Sequence, residues 1–275
     1  MEITKELVQR CHDLDYDALT DDAVDRVKYL VLDFIGVAVR GALSESSGPL
    51  QKYILNFDKV RNGAVVIGTH LKASPAYAAM ANGTAAHSLE LDDVVNEASI
   101  HPAVAIMPAA LAAAYLTGCS AKELIAAITA GYEVMIKLGV ALDPAAHYAR
   151  GFHPTGTCGT MGAAITAAKI LKLDQKAMMN ALGIAGSQAA GSMEFLSDGA
   201  FTKRLHAGWA AHSGIIAALL ARENFTGPGT IIEGRFGFLH AYSSGSKSGK
   251  VLQNWGDPWE VLRTSIKPHA CCRYK

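Results

Sequence analysis

Three of the ten histidines lie beside a proline, in segments next to alanine-rich stretches or near the C-terminus. The pairs are His101-Pro102, His153-Pro154 and Pro268-His269. Proline restricts the backbone next to the imidazole, so each ring is held on a rigid connection. A histidine takes up and returns a proton near neutral pH, as a general base or acid does. His101 and His153 are therefore candidate catalytic residues, although a structural turn alone would also explain each pair.

Three carboxylates, at Glu90, Asp92 and Asp93, follow His87 within a few residues. Such carboxylates repel one another unless they face water, a cation or a proton. A metal hydrolase using His87, Asp92 and Asp93 is one interpretation, but no HxxxH or CxxC element supplies further ligands. We therefore predict no metal site. An acid–base or hydrogen-bonding role for these carboxylates, Glu90 and Asp93 among them, is favoured, and a solvated helix end is the alternative.

A third candidate group begins at the turn that contains Asp198 and continues through Lys203, Arg204 and His206. The sequence predicts that this turn leads into the N-terminus of a helix. Two cations there oppose the helix dipole, at a cost of about 0.3–1 kcal/mol each. An anion bound among the free amides and basic side chains would offset that cost. Lys203, Arg204 and His206 thus predict a carboxylate-binding site, unless the two cations only reach solvent or pair with nearby acids.

Composition limits the binding partners and the cellular compartment that the sequence predicts. The formal net charge of the 275 residues is zero, so no basic surface is available for nucleic acid or an acidic membrane. Five irregularly spaced cysteines and a charged N-terminal segment predict a reduced, cytoplasmic chain. The glycine-threonine stretch 151–160 lacks the glycine-lysine-serine/threonine ending of a phosphate-binding loop. We expect no nucleic-acid partner, no membrane and no cofactor.

The elements that must position these groups carry mostly helix signals. N-cap residues, a proline at the first helical position and a capping box each predict the start of a helix. These signals occur at Thr20, Ser74-Pro75, Ser120 with Glu123, and Asp174. A further long helix is predicted from Arg204 to Arg222.

The remaining segments complete a mainly α prediction. The uncharged stretch 102–119 is barely long enough to span a bilayer and contains Pro108, so we predict a buried core helix. Only 64–67 and 259–266 are predicted as strands. The expected architecture is mainly α, in one compact domain.

Taken in order, several of these motifs resemble the MmgE/PrpD family. The resemblance covers nearly the whole chain and rests on the following segments: Ser74-Pro75, residues 81–93, His101-Pro102, residues 151–154, residues 203–206 and Lys267-Pro268-His269.

The resemblance implies an all-helical domain joined to a smaller α/β lid, commonly in a homodimer. We accordingly expect residues 1–265 to form the N-terminal helical domain and 266–275 to begin a lid that is largely absent. The chain would then be a homodimer.

The resemblance also implies site residues, carried over by motif. The implied catalytic residues are Glu90, Asp93, His101, His153 and Lys203, and the implied substrate-binding residues are Lys267, Arg204 and His206. Two positions depart from the pattern of dehydratase-like and decarboxylase-like members, because Glu90 replaces an aspartate and Val94 a threonine. The segment 194–204 resembles the epimerase-like branch.

The resulting functional prediction is a cofactor-independent lyase, such as a dehydratase, or an epimerase acting on a small di- or tricarboxylate. Both reactions remove a proton next to a carboxylate, and fixed positive charge stabilises the enediolate that develops. The alternative is a catalytically incomplete helical protein that only dimerises or binds carboxylates.

Overall fold

The computed structural model describes residues 2–58, 60 and 62–271. Within them the chain forms α-helices, short 3-10 turns and two very short strands, which confirms the mainly α prediction. The helices are α1 (Ile3–Asp13), α2 (Asp21–Gly41), α3 (Ser47–Phe57), α4 (Pro75–His87), α5 (Ala103–Thr117), α6 (Ala121–Ala141), α7 (Pro144–Ala149), α8 (Pro154–Ile170), α9 (Gln175–Gln188), α10 (Thr202–Arg222) and α11 (Phe238–Tyr242).

Local sequence determines where several helices begin. The side chains of Thr20 and Asp174 each accept a hydrogen bond from a backbone N–H in the first turn of α2 and α9. Ser120 and Glu123 form the predicted capping box of α6. Ser74 precedes Pro75 at the start of α4 as predicted, but its side chain makes no capping hydrogen bond.

Of the two predicted strands, one is confirmed and one is wrong. β1 (Ala64–Val65) pairs antiparallel with β2 (Lys72–Ala73). The segment 259–266 instead contains a 3-10 helix, Glu260–Arg263, and only Ser265 makes an isolated bridge, to Val94. The reason is a buried polar contact, since the backbone N–H of Glu260 donates to the carboxylate of Glu133 on α6 at 2.6 Å. This contact holds the segment against a helix rather than against a strand.

The core is built from alanine- and glycine-rich helices that approach each other closely. α4, α5 and α8 are buried around most of their circumference. A Cβ atom added at Gly208 of α10 would lie 2.1 Å from the carbonyl oxygen of Met80 on α4. The backbones therefore meet directly at this crossing, and the ends of α4, α8 and α10 are brought together.

The apolar helices belong to this core. α5 is the buried core helix predicted for the stretch 102–119. Among the described residues, α6 is long and apolar enough to cross a membrane, but 83% of its apolar window is buried inside the protein.

The predicted domain boundary at 265/266 stays a prediction. Residues 266–271 form neither helix nor strand, and 272–275 lie outside the described residues.

Candidate active site

Four histidines from four different segments form a continuous series of ring contacts. His87 ends α4, His101 precedes α5, His153 is the N-cap of α8, and His206 lies near the start of α10. Ring centroids are 5.2 Å apart for His87 and His101, 5.8 Å for His87 and His153, and 5.5 Å for His153 and His206. The Nδ1 atoms of His153 and His206 are 3.3 Å apart. The fold thus gathers imidazoles that are up to 119 positions apart, from 87 to 206.

The carboxylate of Asp92 lies behind this series and is fully buried. Its Oδ2 is 2.7 Å from Nδ1 of His87 and 3.5 Å from Nδ1 of His101. Its Oδ1 is 3.5 Å from Nζ of Lys267. Burial raises the pKa of Asp92, but interactions with His101, His87 and Lys267 lower that pKa more, so it lies below the usual range of an aspartate. Asp92 is therefore ionised, and its carboxylate lies between His87, His101 and Lys267.

Burial keeps three of the imidazoles neutral near pH 7. It lowers the pKa of His101 to about 4 and that of His206 to about 4, and it lowers the pKa of His153 well below its ordinary value. A neutral imidazole carries one lone pair that can accept a proton. These rings are therefore in the protonation state that a general base requires.

Glu90 and Lys203 form an ion pair beside the histidines, and each side chain is about one-fifth exposed. Desolvation raises the pKa of Glu90, but the charges of His87 and Lys203 and the hydrogen bond from Lys203 lower it more, so the pKa is below its ordinary value. The backbone of Glu90 is left-handed, with φ of 58°, which is uncommon outside glycine and asparagine. Nζ of Lys267 donates to the Glu90 carbonyl at 2.9 Å and so holds this turn.

The side chain of Asp93 is fully buried and is hydrogen-bonded within the protein. Its carboxylate accepts hydrogen bonds from the backbone N–H of Ala103 at 2.9 Å and from the hydroxyl of Tyr132 at 2.8 Å. Its backbone carbonyl is 2.7 Å from Nδ1 of His101. Burial raises the pKa of Asp93 to about 8. In this structure Asp93 joins the start of α5 to the acidic turn, which is formed by residues 90–93. A catalytic role for Asp93 stays a prediction.

Seven of the eight predicted site residues belong to one connected set of contacts in the described chain. They are Glu90, Asp93, His101, His153, Lys203, His206 and Lys267. Arg204 does not share these contacts, and its guanidinium packs 5.3 Å from the ring centroid of Phe201. Lys267 has a buried side chain that binds two backbone carbonyls, so its ammonium group faces the protein interior.

His87 and Asp92 are central to the site, although neither is among the catalytic and substrate-binding residues predicted from the sequence. Across the described residues, no group of three or more histidine, cysteine or acidic side chains is arranged to hold a metal ion. One sequence signal could have identified His87, because it ends a helix of small, mostly apolar residues where a buried polar group needs a partner. The partner, Asp92, lies five residues later.

Comparison with known proteins agrees with this fold. The cis-aconitate decarboxylase of Aspergillus terreus is 30% identical over 282 residues, which cover 98% of this chain and 57% of that relative. The cis-aconitate decarboxylase of Homo sapiens is 32% identical over 254 residues, which cover 91% of this chain and 52% of the relative. The chain thus spans about half the length of the curated relatives it matches.

A family model supports the same assignment over a defined range. The model of the MmgE/PrpD N-terminal domain matches residues 5–250, which include α1 to α11 apart from the first two residues of α1. All the site residues except Lys267 fall within this range. The chain therefore belongs to the MmgE/PrpD family.

Proposed function

We propose that this chain carries the helical part of the active site of a lyase or isomerase acting on a small di- or tricarboxylate. The reaction would remove a proton from the carbon next to a carboxylate, without a cofactor. The observation that carries the proposal is the series of four histidines beside the Glu90–Lys203 pair. It provides bases and a cation at one place.

The chemistry requires both kinds of group. A C–H bond next to a carboxylate is weakly acidic, and its cleavage leaves an enediolate that must be stabilised by fixed positive charge. Lys203 supplies that charge at the exposed edge of the site, where a substrate carboxylate would replace the side chain of Glu90. His101 and His153 would accept and return protons. A bound polyanion raises the pKa of a nearby imidazole, which brings these buried rings closer to a useful basicity.

The relatives favour a lyase acting on a tricarboxylate, since the two described above are named cis-aconitate decarboxylases. A decarboxylation would instead break the C–C bond to the departing carboxylate, whose electron pair stays on the remaining carbon, and an imidazolium formed in the presence of the bound polyanion would deliver its proton to that carbon. In a dehydration it would protonate the leaving hydroxyl, and in an epimerisation a second imidazole would return a proton to the opposite face. Glu90 lies at the edge of the site beside Lys203, and we expect the substrate to be selected there and at Val94, the other position that departs from the dehydratase-like and decarboxylase-like pattern.

The proposal includes a cytoplasmic homodimer. The charge balance and cysteine usage of the sequence support the compartment. The outer face of α2 supports the second copy, because Tyr29, Leu32 and Val39 are between 47% and 68% exposed on it. Exposed apolar patches of this kind mark interaction surfaces.

The test incubates the chain in deuterium oxide with citrate-like, methylcitrate-like, aconitate-like and iminodisuccinate-like acids. NMR then measures the exchange of the carbon-bound hydrogens of each acid for deuterium and any conversion of the acid. We expect exchange or conversion of at least one acid. His101→Gln and His153→Gln should each lower the rate by about 100-fold or more.

His240→Gln is the control, because His240 is exposed on α11, and it should leave the rate unchanged. Equal rates in all three variants would contradict the proposal. Tight binding of an acid without exchange or conversion would favour the alternative of a catalytically incomplete, carboxylate-binding helical protein.

A further inference from the structure

His87 lies in surroundings that define its hydrogen positions. The ring is fully buried, and its Nδ1 is 2.7 Å from the carboxylate of Asp92. An ionised carboxylate only accepts hydrogen bonds, so Nδ1 of His87 carries a hydrogen and donates it to Asp92. In the Nδ1–H tautomer the second nitrogen, Nε2, carries a lone pair on the side of the ring that points away from Asp92.

That lone pair is not used by the described part of the chain. Nε2 of His87 is buried and has no hydrogen-bond partner there. Leaving a buried acceptor unpaired is costly, and such atoms in native proteins call for an explanation. The ring is stacked on that of His153, with 21° between the planes, and is tilted against that of His101. The unpaired Nε2 of His87 thus belongs to a ring that contacts both His101 and His153, the imidazoles proposed to transfer protons.

Asp92 interacts with His101 as well as with His87. Proton uptake by His101 would create an imidazolium whose Nδ1 is 3.5 Å from Oδ2 of Asp92. Opposite charges at this separation in a buried site attract strongly. The same carboxylate therefore orients one imidazole and is the counter-ion of another.

We propose that Asp92 and His87 are positioning residues for proton transfer: Asp92 stabilises the imidazolium formed on His101 and holds His87 in the Nδ1–H tautomer, whose Nε2 only accepts. The inference rests on the proposed function. In the step itself the substrate C–H bond breaks, its electron pair enters the enediolate, and the proton bonds to the lone pair of His101. Asp92 takes up no proton. His87 Nε2 accepts a hydrogen bond from an N–H or O–H that the reaction creates.

Other titratable groups surround the Asp92–His87 dyad. Those that interact with Asp92 or His87 come from α2, the start of α8, α10, the acidic turn and the C-terminal segment: Asp33, His153, His206, Glu90, Asp93 and Lys267. Lys267 already neutralises part of the Asp92 charge through its 3.5 Å contact. A purely structural role would therefore be an Asp92–Lys267 ion pair, with His87 as a space-filling ring.

The first experiment reads the tautomer and needs no substrate. Long-range proton–nitrogen NMR of the chain with labelled imidazoles should show His87 as the Nδ1–H form. Asp92→Asn preserves the shape of the side chain but removes its charge, so the His87 signal should become a mixture of tautomers and His101 should bind a proton less readily. A wild-type His87 in the Nε2–H form would overturn the dyad, as would an unchanged spectrum in Asp92→Asn. The wild-type tautomer decides the matter even if the variant does not fold.

The second experiment measures proton exchange with the acid that the wild-type chain turns over. Asp92→Asn and His87→Gln should lower kcat by about 100-fold while KM changes by less than about threefold. Asp143→Asn is the matched control, because it also removes a carboxylate that contacts a lysine, Lys247, far along the chain. Normal kcat in folded Asp92→Asn would overturn the dyad alone. A wild-type chain that exchanges no acid would overturn the proposed function, whatever the tautomer of His87.

Discussion

The hydroxyl of Tyr132 donates a 2.8 Å hydrogen bond to the carboxylate of Asp93, and both side chains are fully buried. Tyr132 lies on α6, whereas Asp93 belongs to the acidic turn that also carries Glu90 and Asp92. The second oxygen of Asp93 accepts from the backbone N–H of Ala103. One carboxyl group therefore fixes the turn between two helices, and the position of His101 depends on it.

Removing this hydrogen bond should destabilise the protein. Tyr132→Phe leaves a buried acceptor without its donor, which costs about 1–3 kcal/mol in the free energy of unfolding. Urea denaturation of the variant and the wild type measures the difference. Tyr29→Phe is the control, since Tyr29 is 62% exposed on α2, and its midpoint should not change. Equal midpoints for the wild type and Tyr132→Phe would show that the bond contributes nothing.

The pH dependence of stability should report the protonation of Asp93. Burial raises its pKa from 3.8 to about 8, so between these values the folded state holds a proton that the unfolded chain has released. The contribution of this group to stability therefore falls as pH rises through that window, by up to about 1.4 kcal/mol per pH unit.

Asp93→Asn mimics the protonated carboxyl and lacks this titration. The difference in unfolding free energy between Asp93→Asn and the wild type should increase in favour of the variant from pH 5 to pH 8. Urea denaturation at several pH values gives both curves. Parallel curves would mean that Asp93 is ionised in the folded protein throughout the range.

Loss of the cation at the exposed edge of the site should reduce catalysis. Lys203→Gln removes the partner of Glu90 and the charge proposed to stabilise an enediolate, so kcat/KM should fall by about 100-fold or more. Steady-state kinetics with the acid that the chain converts measures this ratio. Lys172→Gln, which breaks an exposed pair with Glu123, should have no effect. A comparable loss in both variants would point to a general effect of charge.

Substitution of glycine by alanine should have opposite effects at two helical positions. At Gly208 a Cβ atom would lie 2.1 Å from the Met80 carbonyl oxygen and 2.3 Å from the hydroxyl of Thr84. Gly208→Ala should therefore cost about 3 kcal/mol or prevent folding.

Gly36 is exposed on α2, and a Cβ atom there would meet nothing within 4 Å. Gly36→Ala should stabilise the protein by about 0.5–1 kcal/mol, because alanine favours the helix. Thermal or urea denaturation compares the two variants with the wild type, and a Gly208→Ala variant as stable as the wild type would refute the close approach of α4 and α10.

Local sequence patterns predicted the elements better than they predicted the site. The caps at Thr20, Ser120 and Asp174 involve residues three apart or fewer, and the structure confirms them. The strand prediction for the segment 259–266 was wrong because the conformation depends on Glu133, which contacts Glu260 from 127 positions away. Such a contact leaves no local signature.

The sequence predicted most of the residues of the site but not how they are arranged in space. Proline neighbours and family order identified His101 and His153, while His87 and Asp92 were noted only as members of a polar cluster. α4 and α8 are buried on nearly all sides, so their sequences have no polar face that would indicate which end approaches which. The arrangement follows from close backbone crossings such as Gly83 near Gly208, and single-sequence periodicity does not reveal these.

The close crossing of α4, α8 and α10 has a consequence for how such proteins diversify. Where backbones touch, a larger residue fits only if the opposite helix recedes, so the helix faces cannot be altered one position at a time. The side chain of Glu90 and the segment before α10 have no such restriction. New substrate preferences should therefore arise by changes at these two places, while the helical frame and its imidazoles are inherited almost unaltered.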